Sequence, residues 1–139
     1  MITLTRRYRF SAAHVLARPD WSDERNRAVY GQCANPSGHG HNYFLEVTVR
    51  GEVDPESGRL LPSERLDGVV RERVLNPLDR RFLNRELAVF EHEVPTAENI
   101  ARFVWDALKG EIAPAVLHRI RLEETPNNSV EYAGEEEEL

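Results

Sequence analysis

Cys33-Ala34-Asn35-Pro36-Ser37-Gly38-His39-Gly40-His41 runs without a break into Asn42-Tyr43-Phe44-Leu45-Glu46-Val47-Thr48-Val49-Arg50. The second half alternates. Tyr43, Leu45, Val47 and Val49 fall on one face and Phe44, Glu46, Thr48 and Arg50 on the other, the pattern of a strand with one buried side. The same periodicity carried backwards puts His39 and His41 on a common face, with Gly40 read as leaving room between the rings. A strand that opens with two adjacent imidazoles offers two metal ligands. Catalytic zinc takes three protein ligands and keeps a fourth position open, and His14 is the obvious third donor. Three neutral imidazoles suit zinc better than calcium or magnesium, which prefer oxygen.

Upstream, Ile2, Leu4, Tyr8 and Phe10 alternate with polar residues, broken at Arg6, so a first strand leads to His14. Leu16 to Gln32 is polar and mixed, and reads as a long loop with at most a helical turn, anchored by Trp21 and Tyr30. Downstream, Asp54-Pro55-Glu56-Ser57-Gly58 is turn chemistry, and Arg59-Leu60-Leu61 is read as the returning arm of a hairpin. Ser63 caps a helix carrying Leu66, Val69, Val70, Val74 and Leu75, which Asn76-Pro77 should end. A second helix starts near Thr96, with Ile100, Phe103, Val104, Ala107 and Leu108 as its apolar stripe. Strands at Val116 to Glu124 and Ser129 to Tyr132 complete a β-β-α-α-β-β order. That order predicts an α+β fold: one domain over residues 1–134, a mostly antiparallel sheet with helices on one face, and an acidic C-terminal tail at 135–139.

The chain has 139 residues and a net charge of −6, much of it from the four glutamates at Glu135 to Glu138. A near-neutral body without a basic stripe argues against nucleic acid as a partner. No stretch is apolar enough to cross a bilayer, and the N-terminus lacks a signal-peptide core, so a soluble, cytoplasmic protein without a membrane partner is expected. The single cysteine forms no intrachain disulfide, in keeping with a reducing compartment. Burying more surface in a homo-oligomer would help a domain of this size.

Four further residues carry two readings each. Cys33 is either a small buried hydrophobe or, beside a cation, a thiol of lowered pKa. Glu124 at a strand end is either solvated or aimed into a pocket, where a carboxylate accepts paired N–H bonds from a guanidine-like heterocycle. Thr96 and Glu98 suit ordinary helix capping as well as a pocket lining.

Phe10-Ser11-Ala12-Ala13-His14, the segment from Gly31 through Cys33 and His39-Gly40-His41 to Tyr43, Pro77-Leu78-Asp79, Pro95-Thr96-Ala97-Glu98-Asn99 and Glu124-Thr125 resemble, in order, the motifs of 6-pyruvoyl-tetrahydropterin synthases and their relatives, the 6-carboxy-tetrahydropterin synthases. The resemblance implies a tunnelling fold, in which a four-stranded antiparallel sheet carries two helices, trimers close a barrel, and two trimers stack as a hexamer. It implies a pterin substrate, 7,8-dihydroneopterin triphosphate, and Zn2+ held by His14, His39 and His41. It further implies that Glu124 anchors the pterin, that Thr96 and Glu98 line the pocket, and that Cys33 serves as catalytic acid/base. The five residues between Cys33 and His39 favour the 6-pyruvoyl branch, with the 6-carboxy branch of queuosine biosynthesis as the alternative. Where the family reads Asp-His after Pro-Leu, this chain reads Asp79-Arg80. Arginine cannot relay a proton, so Arg80 is read as stabilising a thiolate, with His92 partly replacing the missing histidine. Two other readings stand beside it: a zinc- and pterin-binding relative without synthase activity, which Arg80 supports, and a metal-stabilised structural oligomer without a pterin site, against which Thr96 and Glu124 in the expected order count.

Overall fold

The computed structural model describes residues 1–135; the glutamates at 136–138 lie outside the described residues. Strand β1, Ile2–His14, pairs antiparallel with β2, His39–Gly51, along its whole length, from Ile2 opposite Gly51 to His14 opposite His39. Strand β4, Val116–Thr125, occupies the other edge of β2, and β5, Asn128–Tyr132, folds back on β4. A two-residue strand β3, Arg81–Phe82, runs parallel to β1 at Ala12 and Ala13. The sheet therefore has five strands in the order β3-β1-β2-β4-β5 and is mixed, not the four-stranded antiparallel sheet expected. The four long strands keep the expected antiparallel order.

The Arg59-Leu60-Leu61 arm does not return as a strand. Both edges of β2 are already taken, by β1 and β4, so this segment cannot pair back on β2 as a hairpin arm. Asp54 closes a tight turn instead, its carbonyl accepting from Gly58 N at 2.8 Å and its N–H donating to Arg59 O at 2.9 Å. The expected long loop after β1 holds an eight-residue helix α1, Asp23–Tyr30, capped by Ser22, and a 3-10 turn, Gly31–Ala34. Trp21 and Tyr30 do anchor it, their rings stacked at 6.1 Å.

Helix α2, Ser63–Val70, passes Asn76-Pro77 instead of stopping there. It widens into a π turn, Arg71–Leu75, and ends at Leu78. A proline inside an α-helix leaves one carbonyl unpaired and its ring strikes the preceding turn. One wide turn relieves that conflict: Asn76 N donates to Arg71 O, and Asp79 N to Leu75 O at 2.7 Å. A short helix α3, Leu83–Glu86, follows β3, and α4, Ala97–Leu108, starts at its Thr96 cap as the sequence predicts.

One face of the sheet is the core. Phe10, Ala12, Tyr43, Leu45, Val47, Val49, Ile120 and Leu122 pack there with Leu66, Val70 and Val74 of α2 and its continuation and Ile100, Val104 and Leu108 of α4. Each large side chain so buried contributes roughly 1.5–3 kcal/mol. Arg6 breaks the alternation of β1 because it reaches α2, where Asp67 accepts from its Nε at 2.7 Å and from the Tyr8 hydroxyl at 2.7 Å. The opposite face is polar, with Glu46 set between Arg119 at 3.8 Å and Arg121 at 3.5 Å. The antiparallel register thus brings the end of β1 and the start of β2 to one corner of the core.

Candidate metal centre

His14 and His39 face each other on the last rung of the β1–β2 ladder, and His41 lies two residues further along the same face of β2. Their rings form a nearly equilateral triangle, with centroid separations of 4.5, 5.1 and 5.0 Å. One nitrogen from each lies within 4.8 Å of the others. Gly40 is on the opposite face, so its missing side chain does not separate the imidazoles as the sequence suggests; a Cβ there would approach Ala12 O at 3.5 Å. Gly38 is the constrained glycine. Its φ is +76°, and a Cβ would meet the Phe82 ring at 2.8 Å.

His14 is fully buried. Its Nδ1–H donates to the carbonyl of Pro95 at 2.7 Å, which leaves the Nε2 lone pair facing the cluster. Burial, opposed by that hydrogen bond and assisted by the two neighbouring imidazoles, holds His14 well below the usual range, at about 4. His41 is also lowered, chiefly by burial, against the pull of Glu124. The His14 Nε2 and His39 Nε2 atoms are 2.9 Å apart. Three imidazoles whose ring nitrogens converge are what a divalent cation of borderline softness requires, and this donor set fits zinc.

Glu124 reaches the cluster from β4. Its side chain is only 15% exposed, and its Oε2 is 3.9 Å from His14 Nε2. With His14 neutral this contact is no ion pair. The carboxylate accepts from Asn128 Nδ2 at 3.3 Å and is otherwise available. Tyr43, next on the histidine face of β2, was missed by sequence reasoning as anything but core. Its hydroxyl is buried and has no hydrogen-bond partner among the described residues, while burial and the Glu124 charge push its phenol pKa up. A buried polar atom without a partner beside three converging imidazoles marks a place for a ligand.

Cys33 is half-buried in the 3-10 turn, and its carbonyl accepts from Leu16 N at 2.8 Å, tying the loop to the end of β1. A cavity of about 900 Å3 opens there, lined by Cys33, His39, Gln32, Asn35 and Arg27 among others. Asp79 and Arg80 lie elsewhere. Asp79 Oδ1 accepts from Ser11 N at 2.9 Å, and Arg80, at φ +62°, donates its backbone N–H to Ser11 O. Together they steer the chain into β3. Arg80 lines a separate cavity of about 530 Å3 with Ser11, His41, Asn42 and Glu86. Within one chain, then, the structure places Cys33 and Arg80 on different cavities, and Asp79 lines neither.

Thr96 spends its hydroxyl on Asn99 N at 3.2 Å as a helix cap, and Glu98 is exposed in the first turn of α4. The contribution of this segment to the cluster is the Pro95 carbonyl, one residue earlier. His92 is exposed at the end of a 3-10 turn, Ala88–Glu91, and lines neither cavity. Asn84 was also missed. Its side-chain amide clamps the backbone of Val15, accepting at 2.8 Å and donating at 2.9 Å, and so fixes the exit of the chain from His14.

Among the described residues, no helix is long and apolar enough to cross a membrane. The 6-pyruvoyl tetrahydropterin synthase family model matches residues 3–135. A 6-pyruvoyl tetrahydrobiopterin synthase of Pongo abelii is 42% identical over 132 residues, 95% of this chain and 91% of that protein. A 6-carboxy-5,6,7,8-tetrahydropterin synthase of Haemophilus influenzae is 26% identical over 152 residues, covering 95% of this chain and 99% of its own length. The structure of the Caenorhabditis elegans 6-pyruvoyl tetrahydropterin synthase superposes with a TM-score of 0.91 at 39% identity, covering 96% of each chain. Matched along nearly its whole length in sequence and in fold, the chain belongs to the 6-pyruvoyl tetrahydropterin synthase family, a family of lyases.

Proposed function

We propose that the protein converts 7,8-dihydroneopterin triphosphate to 6-pyruvoyl-tetrahydropterin, with loss of triphosphate, using zinc held by His14, His39 and His41. The observation that carries this reading is the convergence of three imidazoles with a nearly buried carboxylate 3.9 Å from one of them, next to a cavity that holds a thiol. The greater similarity to 6-pyruvoyl than to 6-carboxy relatives, 42% against 26%, favours the pyruvoyl product.

Each residue then has a task. Glu124 accepts paired N–H bonds from the pterin edge, a charge-assisted contact whose planar geometry selects the ring. Zinc, when bound, acidifies the side-chain hydroxyls of the substrate and stabilises negative charge on their oxygens. Cys33 takes and returns the proton at the carbon next to the ring. The rearrangement is internally redox-neutral, so no external oxidant or reductant takes part. Pro95 keeps His14 in the ligating tautomer. Asp79, Arg80 and His92 act on Cys33 only if another copy presents them, since one chain does not bring them to its own thiol.

Assembly supplies such a copy. Strand β1 has an open edge before the β3 pairing at Ala12, and β5 is open on its outer side. Two unlike open edges on one sheet suit head-to-tail pairing between copies, which closes into a ring. The cytosol fits a lone thiol that must stay reduced.

Incubating zinc-loaded protein with dihydroneopterin triphosphate and identifying the product by mass spectrometry tests the reading. The pyruvoyl product is expected; the carboxy product would move the protein to the queuosine branch. Binding without turnover would support the one alternative with a residue behind it, a pterin-binding relative in which Arg80 stands where a proton relay is needed.

A further inference from the structure

We propose that the guanidinium of Arg27 receives the triphosphate end of the substrate, in the cavity shared by Cys33 and His39. The inference rests on the dihydroneopterin triphosphate reading above and adds a direction to it. That substrate is electrically lopsided: its pterin edge offers N–H donors, which call for a carboxylate, and its far end is a polyanion, which calls for cations. The site has the same polarity. Glu124 lies 3.9 Å from His14, His14 lies 2.9 Å from His39, and His39 opens onto the cavity of about 900 Å3 in which Arg27 stands. Glu124 does not line that cavity, and among the described residues no other carboxylate does.

Arg27 differs from its neighbouring arginines. Arg18 is held by both oxygens of Asp20, at 2.9 and 2.8 Å, and Arg25 lies over the Trp21 ring at 3.9 Å. Arg27 has neither an acidic nor an aromatic partner among the described residues, so its charge is uncommitted. Its position is nevertheless fixed. Ser22 caps α1, and the buried Asn26 side chain clamps Arg18, accepting from its N–H at 2.8 Å and donating to its carbonyl at 3.0 Å. A cation on an anchored helix gives up little freedom on binding a phosphate.

The other cationic wall is a poorer match. The cavity at Arg80 and Arg81 also contains Glu86, which lies 3.5 Å from Arg81 and would repel phosphate.

The experiment compares Arg27→Ala, Arg27→Lys and Arg80→Ala, all at exposed positions, after metal analysis has shown native zinc content. Calorimetry with inorganic triphosphate and with unphosphorylated neopterin accompanies steady-state kinetics at several salt concentrations. Arg27→Ala is expected to weaken inorganic triphosphate about tenfold or more, raise KM for the substrate similarly, and change kcat and neopterin affinity little. Arg27→Lys should recover part of the loss, and the salt dependence of KM should become shallower in Arg27→Ala. Unchanged triphosphate affinity in Arg27→Ala, or a loss confined to Arg80→Ala, would overturn the proposal. Should the native protein fail to turn the substrate over, the synthase reading falls, and triphosphate calorimetry alone decides the role of Arg27.

Discussion

His14, His39 and His41 are expected to divide one task, so His39→Ala and His41→Ala should each lose zinc by metal analysis; full occupancy in both would remove them as ligands. Glu124→Ala should keep zinc and weaken pterin binding, measured by calorimetry, by roughly one to two powers of ten. His14 also ties stability to pH. Its folded value, about 4, is below the ordinary 6.5, so the unfolded chain binds the extra proton between those values. Metal-free protein should therefore lose stability as pH falls from about 6.5 to 4, by up to about 3 kcal/mol. Chemical denaturation of His14→Gln beside the native chain isolates this effect, and equal slopes for the two would refute it. The three histidines were legible in the sequence because their spacing is local and their chemistry is narrow. The Pro95 carbonyl, the Asn84 clamp and the unpartnered Tyr43 hydroxyl were not, because each acts through a contact that only the folded chain creates.

The elements were legible wherever one period ran long enough. β1 and β2 follow their apolar alternation, α4 its helical stripe and β4 an alternation shifted once between Leu117 and Ile120, and even Arg6, the one irregularity in β1, has a structural cause in Asp67. Short or compensated elements were not legible: β3 is two residues long, and the π turn before Pro77 cancels a rule that normally ends a helix. The turn entering β2 makes a sharper prediction. Gly38→Ala combines a left-handed φ with a clash against Phe82, whereas Gly58→Ala has a similar φ, +73°, and open space around it. Gly58→Ala should cost about 1 kcal/mol from the backbone alone and Gly38→Ala measurably more, with a loss of zinc affinity. Equal denaturation midpoints for the two variants would show that Phe82 yields freely.

At the scale of the molecule, the two open sheet edges predict assembly. Light scattering should give a mass near three or six times the 16.0 kDa chain, and a monomer at micromolar concentration would remove the neighbour needed to bring Asp79 and Arg80 to Cys33. The place of the histidine pair on the last rung of the β1–β2 ladder has one more consequence. Strand ends fray, opening and closing at little cost in free energy, and here the ligands sit where the zipper would part. Zinc would act as a clasp on that end. Amide hydrogens of residues 11–14 and 39–42 should exchange quickly in chelated protein and slowly once zinc is restored, while those at the Ile2–Gly51 end stay indifferent to the metal.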